Sequence, residues 1–536
     1  MYASDSYRSL QKQAPRFERP DFHLKQMIKD PARLEKFSLG MPGFFFDFSR
    51  QRLDNTVKKT LTGLAEERGA KQMFARMAAG EKVNISENRA ALHTACRAVE
   101  DADLVPPEPD IIQQMQTVTR AMHTFCSDIR QGRITGAHGQ AFTDAVVVGI
   151  GGSYLGCECV YSALKAAHTP KIRLHFLSNV DIDNFGEVIT RINPDTCLWI
   201  VVSKSYTTTE TMANLAQARA FLEQHSLLPK KHLVTITAKG SPGDDPSNPV
   251  LASFHMFDFI GGRYSVSSAV GGVPLGLAFG PDIFDRFLKG CSIMDSHALH
   301  ALPGENIPLM AALVSIWNIQ ILGYTAQAII PYSSALSKLA PHVQQLYMES
   351  LGKGVDTTGT PLPRPAGSII FGEPGTNAQH SFFQLAHQGP AFPVEFIGIL
   401  SPGYQENQVT AKGVYNHQEL WANLIAQTLA LAEGLDHEVP ARAFEGNRPS
   451  SLLVIDDLSP ESIGMLVSFY EARTVYEGFI LGINPFDQFG VELGKMLASG
   501  IRKKMADKNS NPDHDLSPLD PTAAFYIRAL FAGKII

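Results

Sequence analysis

The run Ala145–Ile150 (AVVVGI) is continuously apolar and is followed at once by Gly151-Gly152-Ser153. A strand with one wet face alternates apolar and polar residues. An uninterrupted apolar run ended by glycines belongs to a strand covered on both sides, which occurs almost only in parallel sheets flanked by helices. A helical stretch from Leu155 to about Ala167 follows. The same kind of run returns at Leu174–Leu177, Leu198–Val202 and His232–Thr237, with a helix from about Thr207 to His225 between the last two. Strand and helix in alternation predict a doubly wound α/β sheet, with its site at the carboxyl ends of the strands.

A second cycle begins near residue 306. A helix over Ile307–Leu322 precedes a strand near Ala326–Ile330 and a helix over Leu336–Ser350, followed by strands at Ser368–Phe371, Val394–Ile399 and Leu452–Ile455. Long helices fall near 412–433 and 461–480, and a last one starts at Asp487. Residues 21–135 carry i, i+3, i+4 apolar spacing and read as mostly helical. The stretch Gly280–Asn306 reads as a link, and Lys503–Pro521 as a solvated arm before a short terminal helix.

With 536 residues, the chain exceeds what one core serves. Its 47 basic and 53 acidic residues give a net charge of −6, which argues against nucleic acid or an anionic membrane surface as partner. An anionic small molecule must then be captured by local donors. The six cysteines are scattered, which fits a reducing compartment. Cys157 and Cys159 are two apart at a helix start and share no face, so no metal is expected there. Met1–Pro20 is polar, no run of 18 apolar residues occurs, and a cytoplasmic location is expected.

Two strand-to-helix junctions are suited to an anion. Gly149–Ser153 lets backbone approach a ligand at a helix N-terminus; it lacks a P-loop lysine and the GxGxxG spacing, and alone it reads equally as a tight turn. Ser203-Lys204-Ser205-Tyr206-Thr207-Thr208-Thr209-Glu210-Thr211 carries more hydroxyls than one helix cap uses. Two such turns on parallel strands suit a phosphate monoester. Gly261-Gly262-Arg263 offers a permanent positive charge, though a lone arginine is more often a surface group. Glu349 stands near a helix C-terminus, where the dipole disfavours it, in Gln345-Leu346-Tyr347-Met348-Glu349. Gly372–His380 forms a loop that sets His380 in the first turn of a helix. In Phe486–Lys495, Asp487 reads as an N-cap, and Gln488 and Lys495, seven apart, are expected on one face with Val491.

These segments, with Asn84–Arg89 and Leu92-His93, closely resemble the glucose-6-phosphate isomerase (phosphoglucose isomerase) family over roughly residues 80–500. SKSYTTTET, GEPGTNAQHSFFQLAHQG and NPFDQFGVELGK are the most specific segments. The resemblance implies two sugar-isomerase (SIS) subdomains, here 116–285 and 286–505, after a helical N-terminal region over residues 1–115 and before a C-terminal arm over residues 506–536. It implies a homodimer in which His380 crosses to the partner's site, a phosphosugar substrate, and neither metal nor organic cofactor. It assigns Gly152, Ser153, Ser203, Ser205 and Thr208, with backbone around Lys204, to the phosphate, and Lys495 and His380 to ring opening. Glu349 becomes the base at carbon 2, Arg263 the counter-charge to a cis-enediol(ate), and Gln345 and Gln488 position the sugar. The family commonly has Thr at Ser205, Asn at Leu351, Trp at Phe489 and a Trp-Ser after Ser265. Leu351 is the departure that bears on Glu349. An isomerase of the same mechanism acting on mannose 6-phosphate is the nearest alternative. A non-catalytic phosphosugar sensor would need the hydroxyl cradle and have no use for Glu349, His380 and Lys495 together.

Overall fold

The computed structural model describes residues 1–98, 104, 108–405, 407–517 and 519–535. They form two compact units, Met1–Phe486 and Asp487–Ile536. In the first unit, a hairpin of β1 (Ser38–Met41) and β2 (Phe44–Asp47) precedes the five strands β3 (Asp144–Val148), β4 (Arg173–Leu177), β5 (Cys197–Val202), β6 (Leu233–Ala238) and β7 (Ala252–Met256). These five form one parallel sheet in the order β4-β3-β5-β6-β7. Every residue of β3 and β5 is buried, as an uninterrupted apolar run requires when helices cover both faces.

The second sheet contains β8 (Ala326–Pro331), β9 (Ile369–Phe371), β10 (Val394–Ile399) and β11 (Ser450–Ile455). Its order is β1-β2-β11-β10-β8-β9, and β2 runs antiparallel to β11. The helical reading of residues 21–135 is therefore incomplete. FFFD at Phe44–Asp47 is too short to show a period, and its aromatic residues were free to enter either pattern. Phe46 and Phe44 are buried, and Phe46 stacks on Phe48 at 5.3 Å. The link expected over Gly280–Asn306 contains a helix, Pro281–His300, whose apolar residues fill one face.

The helix Pro460–Leu481 is buried along nearly its whole length, and the helix Pro281–His300 crosses it at van der Waals contact. A Cβ at Gly290 would lie 2.0 Å from the carbonyl oxygen of Glu461, and one at Gly464 would lie 2.2 Å from that of Phe287. Near the crossing, Arg97 is held by Asp295 and Glu471, with Ser468 on both Arg97 and Asp295, all out of water. Charges so buried persist only because each has a partner. The main core joins the inner faces of both sheets through Trp317, Tyr347 and Phe469. Smaller clusters cover the outer faces, around Trp199 and Phe221 on the first sheet and around Phe396 and Leu424 on the second.

The second unit contains a 3₁₀ turn (Phe489–Val491) and the helices Glu492–Ser510 and Pro521–Ala532, with Leu516, Ala524 and Ile527 as its small core. Helix continues to Ser510, so the solvated arm expected from Lys503 is helical over its first half. Asp487 is not at the N-cap position: Gln488 has that place at the 3₁₀ turn, and the α-helix begins only at Glu492. Among the described residues no helix is long and apolar enough to cross a membrane.

Candidate active site

In the first sheet β3 and β5 are neighbours, yet the chain leaves β3 toward β4 on one side and leaves β5 toward β6 on the other. A crevice opens at the carboxyl ends of two such strands. Gly149–Ser153 follows β3 and Ser203–Thr208 follows β5, so strand order alone sets the two predicted anion turns side by side.

The first turn is a 3₁₀ turn over Gly151–Ser153 that leads into the helix Leu155–Leu164. Gly152 has no room for a side chain: a Cβ there would lie 2.3 Å from the carbonyl carbon of Gly262 and 2.6 Å from the amide nitrogen of Arg263. That contact joins the turn to the segment carrying the arginine, and Ser265 Oγ donates to the carbonyls of Gly262 (2.7 Å) and Gly152 (3.3 Å).

In the second turn Tyr206 takes φ +54°, a left-handed conformation that costs a β-carbon-bearing residue on the order of 1 kcal/mol. Ser203 Oγ accepts its backbone N–H at 3.1 Å, and its ring is buried over Gly243. Ser203 Oγ also donates to Thr208 Oγ1 at 3.4 Å, and Ser205 Oγ accepts from the Thr207 hydroxyl at 2.7 Å. Thr208 is the N-cap residue of the helix Thr209–Gln224, yet its side chain makes no capping bond. The hydroxyl thus points elsewhere at the positive end of a 16-residue helix, where an anion is favoured. Lys204 turns its amine away, to the carbonyls of Asp258 (3.0 Å) and Ile260 (3.4 Å), bracing the approach to Gly261. Burial lowers its pKa, with the Asp258 carboxylate opposing.

Glu349 lies on the last turn of the helix Leu339–Leu351, four residues after Gln345 and on the same face. Gln345 Nε2 donates to Glu349 Oε2 at 2.8 Å, and a Cβ on Gly151 would lie 3.0 Å from that same nitrogen. The helix end therefore leans over the first anion turn. Arg263 Nη1 stands 3.3 Å from Glu349 Oε1, the arginine buried and the carboxylate one-fifth exposed. Leu351 is fully buried and packs against Gly367, so its aliphatic side chain leaves the carboxylate's polar surroundings to Gln345 and Arg263.

The fold thus gathers Gly152, Ser153, Ser203, Ser205, Thr208, Arg263, Gln345 and Glu349 into one region. His380 sits apart, exposed on a 3₁₀ turn (Ala378–His380) beyond β9 in the second sheet. His387 bonds to Gln427 at 3.1 Å. Gln488 and Lys495 belong to the second unit and are exposed. Gln488 has φ −154° and ψ 46°, so the seven-residue spacing does not run along one helix. Val491 is itself 47% exposed. Cys157 and Cys159 are both buried, and burial raises both thiols. No cluster of three metal-binding side chains occurs among the described residues. Sequence reasoning missed Tyr264, Ser350 and Pro485, which surround Arg263. The first two neighbour assigned residues, but nothing in one dimension pairs Ser350 with an arginine 87 positions earlier.

Two tandem doubly wound sheets, a hydroxyl-rich turn at a strand-order reversal, and a carboxylate facing a buried guanidinium define an α/β protein whose crevice is suited to a small anionic molecule. The phosphoglucose isomerase family model matches residues 47–520, and the chain belongs to that family. It is 55% identical over 534 residues to a glucose-6-phosphate isomerase of Desulfosudis oleivorans, covering 99% of this chain and 98% of the relative. It is 41% identical to a cytosolic glucose-6-phosphate isomerase of Arabidopsis thaliana, over 90% of this chain and 89% of the other. The crystal structure of a glucose-6-phosphate isomerase from Chlamydia trachomatis superposes with a TM-score of 0.90 at 38% identity, covering 99% of each chain.

Proposed function

We propose that this chain interconverts glucose 6-phosphate and fructose 6-phosphate through a cis-enediol(ate), serving glycolysis and gluconeogenesis in the cytosol. The observation that carries the reading is the Glu349 carboxylate set beside the Arg263 guanidinium at 3.3 Å, over a turn suited to an anion. Ser153, Ser203, Ser205 and Thr208, with backbone N–H groups around Gly152 and Lys204, hold the phosphate. The opened sugar extends from that anchor toward Gln345 and Glu349.

Proton abstraction next to a carbonyl needs the open chain, so two acid–base sets are required. Lys495 and His380 move a proton between the ring oxygen and the anomeric hydroxyl. Glu349 then takes the hydrogen at carbon 2 as a proton, and the electron pair left behind forms the carbon 1–carbon 2 double bond while oxygen 1 becomes anionic. Glu349 returns the proton to carbon 1, and a proton passes from oxygen 2 to oxygen 1, leaving the ketose. Oxidation at carbon 2 and reduction at carbon 1 balance within one molecule. Arg263 meets the negative charge as it develops on the oxygens. The chain acts as a homodimer in which His380 serves the partner's site, a reading supported by family membership and by the exposure of His380.

Glu349→Gln tests the assignment. It keeps size and the bond to Gln345 and removes the base. We expect isomerisation of fructose 6-phosphate to fall by more than about 1,000-fold, solvent-proton exchange at carbon 2 to vanish, and a phosphorylated polyol to bind as before. Undiminished turnover would remove Glu349 from the role.

A further inference from the structure

Arg263 is held on the side away from the carboxylate by a closed ring of hydrogen bonds. Its Nε donates to Ser350 Oγ at 2.7 Å and its Nη2 to the carbonyl of Pro485 at 2.7 Å. Ser350 Oγ lies 2.9 Å from the Tyr264 hydroxyl, which reaches the same Pro485 carbonyl at 3.3 Å. Proton direction closes the circuit. Ser350 Oγ accepts from the arginine and gives its own hydrogen to Tyr264, and Tyr264 gives its hydrogen to Pro485, whose oxygen accepts twice. Arg263, Tyr264 and Ser350 are each at most 3% exposed, so no water substitutes for a missing member.

The ring dictates how the guanidinium meets Glu349. An arginine free to choose grips a carboxylate with two parallel N–H bonds of about 2.8 Å. Both two-toothed faces of a guanidinium use Nη2, paired with either Nε or Nη1, and here Nη2 is held by Pro485 and Nε by Ser350. Only Nη1 approaches, at 3.3 Å, and the second carboxylate oxygen is left to Gln345. Such an arrangement keeps the positive charge near the reacting carbons without locking the carboxylate in an ion pair.

We propose that Ser350 is a positioning residue for the isomerisation: with Tyr264 and the Pro485 carbonyl it holds Arg263 edge-on and prevents it from collapsing onto Glu349. The inference rests on the roles given above to Glu349 and Arg263. Ser350 touches neither substrate nor reacting atoms. Its effect is confined to the step in which charge develops.

Ser350→Ala, Ser350→Thr and Tyr264→Phe separate this from a structural role. In Ser350→Ala the Nε donor loses its acceptor, and kcat is expected to fall about 10- to 100-fold with KM changed less than 2-fold. Affinity for a planar phosphorylated aldonohydroxamate, which mimics the enediolate, falls by the same factor, while affinity for a phosphorylated polyol of the same length is unchanged. Ser350→Thr restores the hydroxyl and most of kcat. Tyr264→Phe, which keeps the ring and opens the circuit one step further away, gives the same pattern at smaller size and serves alone if Ser350→Ala does not fold. Equal losses for hydroxamate and polyol, or an unchanged kcat in a folded Ser350→Ala, would overturn the proposal. Full turnover in Glu349→Gln would instead sink the underlying reading, whatever the Ser350 variants do.

Discussion

Ser203 and Thr208 both carry hydroxyls in the turn after β5, but only Ser203 holds up the turn. It satisfies the N–H of the left-handed Tyr206, whereas Thr208 makes no capping bond. Thr208→Ala is therefore expected to weaken a phosphorylated inhibitor about 5-fold and leave the thermal midpoint within about 1 °C. Ser203→Ala is expected to weaken it at least as much and also to destabilise the protein by about 1–3 kcal/mol, because a buried N–H loses its acceptor. Titration calorimetry and thermal melts on both variants separate the two roles; equal melting losses would contradict the distinction. Hydroxyl density at SKSYTTTET was legible because it exceeds what a cap uses. That Ser350 serves the geometry of Arg263 was not, because the two stand 87 positions apart along the chain.

Among elements, the strands buried on both faces were legible from composition alone, since covering both faces removes every reason for a polar residue. The edges were not. β7 alternates, with Ser253 and His255 partly exposed, and β1–β2 is too short for periodicity to speak. Helix crossings were equally silent, because contact between backbones leaves only small residues as a trace. Gly464→Ala tests the closest of these. On helix propensity alone it should stabilise by about 1 kcal/mol. The oxygen of Phe287 at 2.2 Å from the new methyl makes overpacking the larger effect, about 1–3 kcal/mol the other way. A lowered thermal midpoint is expected; a raised one would mean that the two helices separate without penalty.

For the molecule as a whole, buried titratable groups set opposite slopes of stability with pH. Burial lowers His342 to about 4, below its ordinary 6.5, so the unfolded chain binds more protons between those values and stability falls as pH drops through that window. Burial raises Glu477 to about 7 from 4.5, against the opposing Arg473 charge. Here the folded chain binds more protons, and stability falls as pH rises from 4.5 through 7. Each effect reaches roughly 3 kcal/mol at full extent. Glu477→Gln keeps an acceptor for the Tyr347 hydroxyl, which donates to Glu477 at 2.7 Å, and is expected to gain stability at pH 8 relative to the parent and to lose that advantage near pH 5. His342→Phe is expected to flatten the acid side only. Melting curves from pH 4.5 to 8.5 decide both, and parallel profiles for parent and variants would refute the assignment.

The crevice between β3 and β5 exists because two connections depart in opposite directions, and no single substitution can abolish a change of direction. The frame is inherited whole, and what it grips is written in two short turns. A lineage of such proteins can exchange those turns and so move to a new ligand while every strand stays in place.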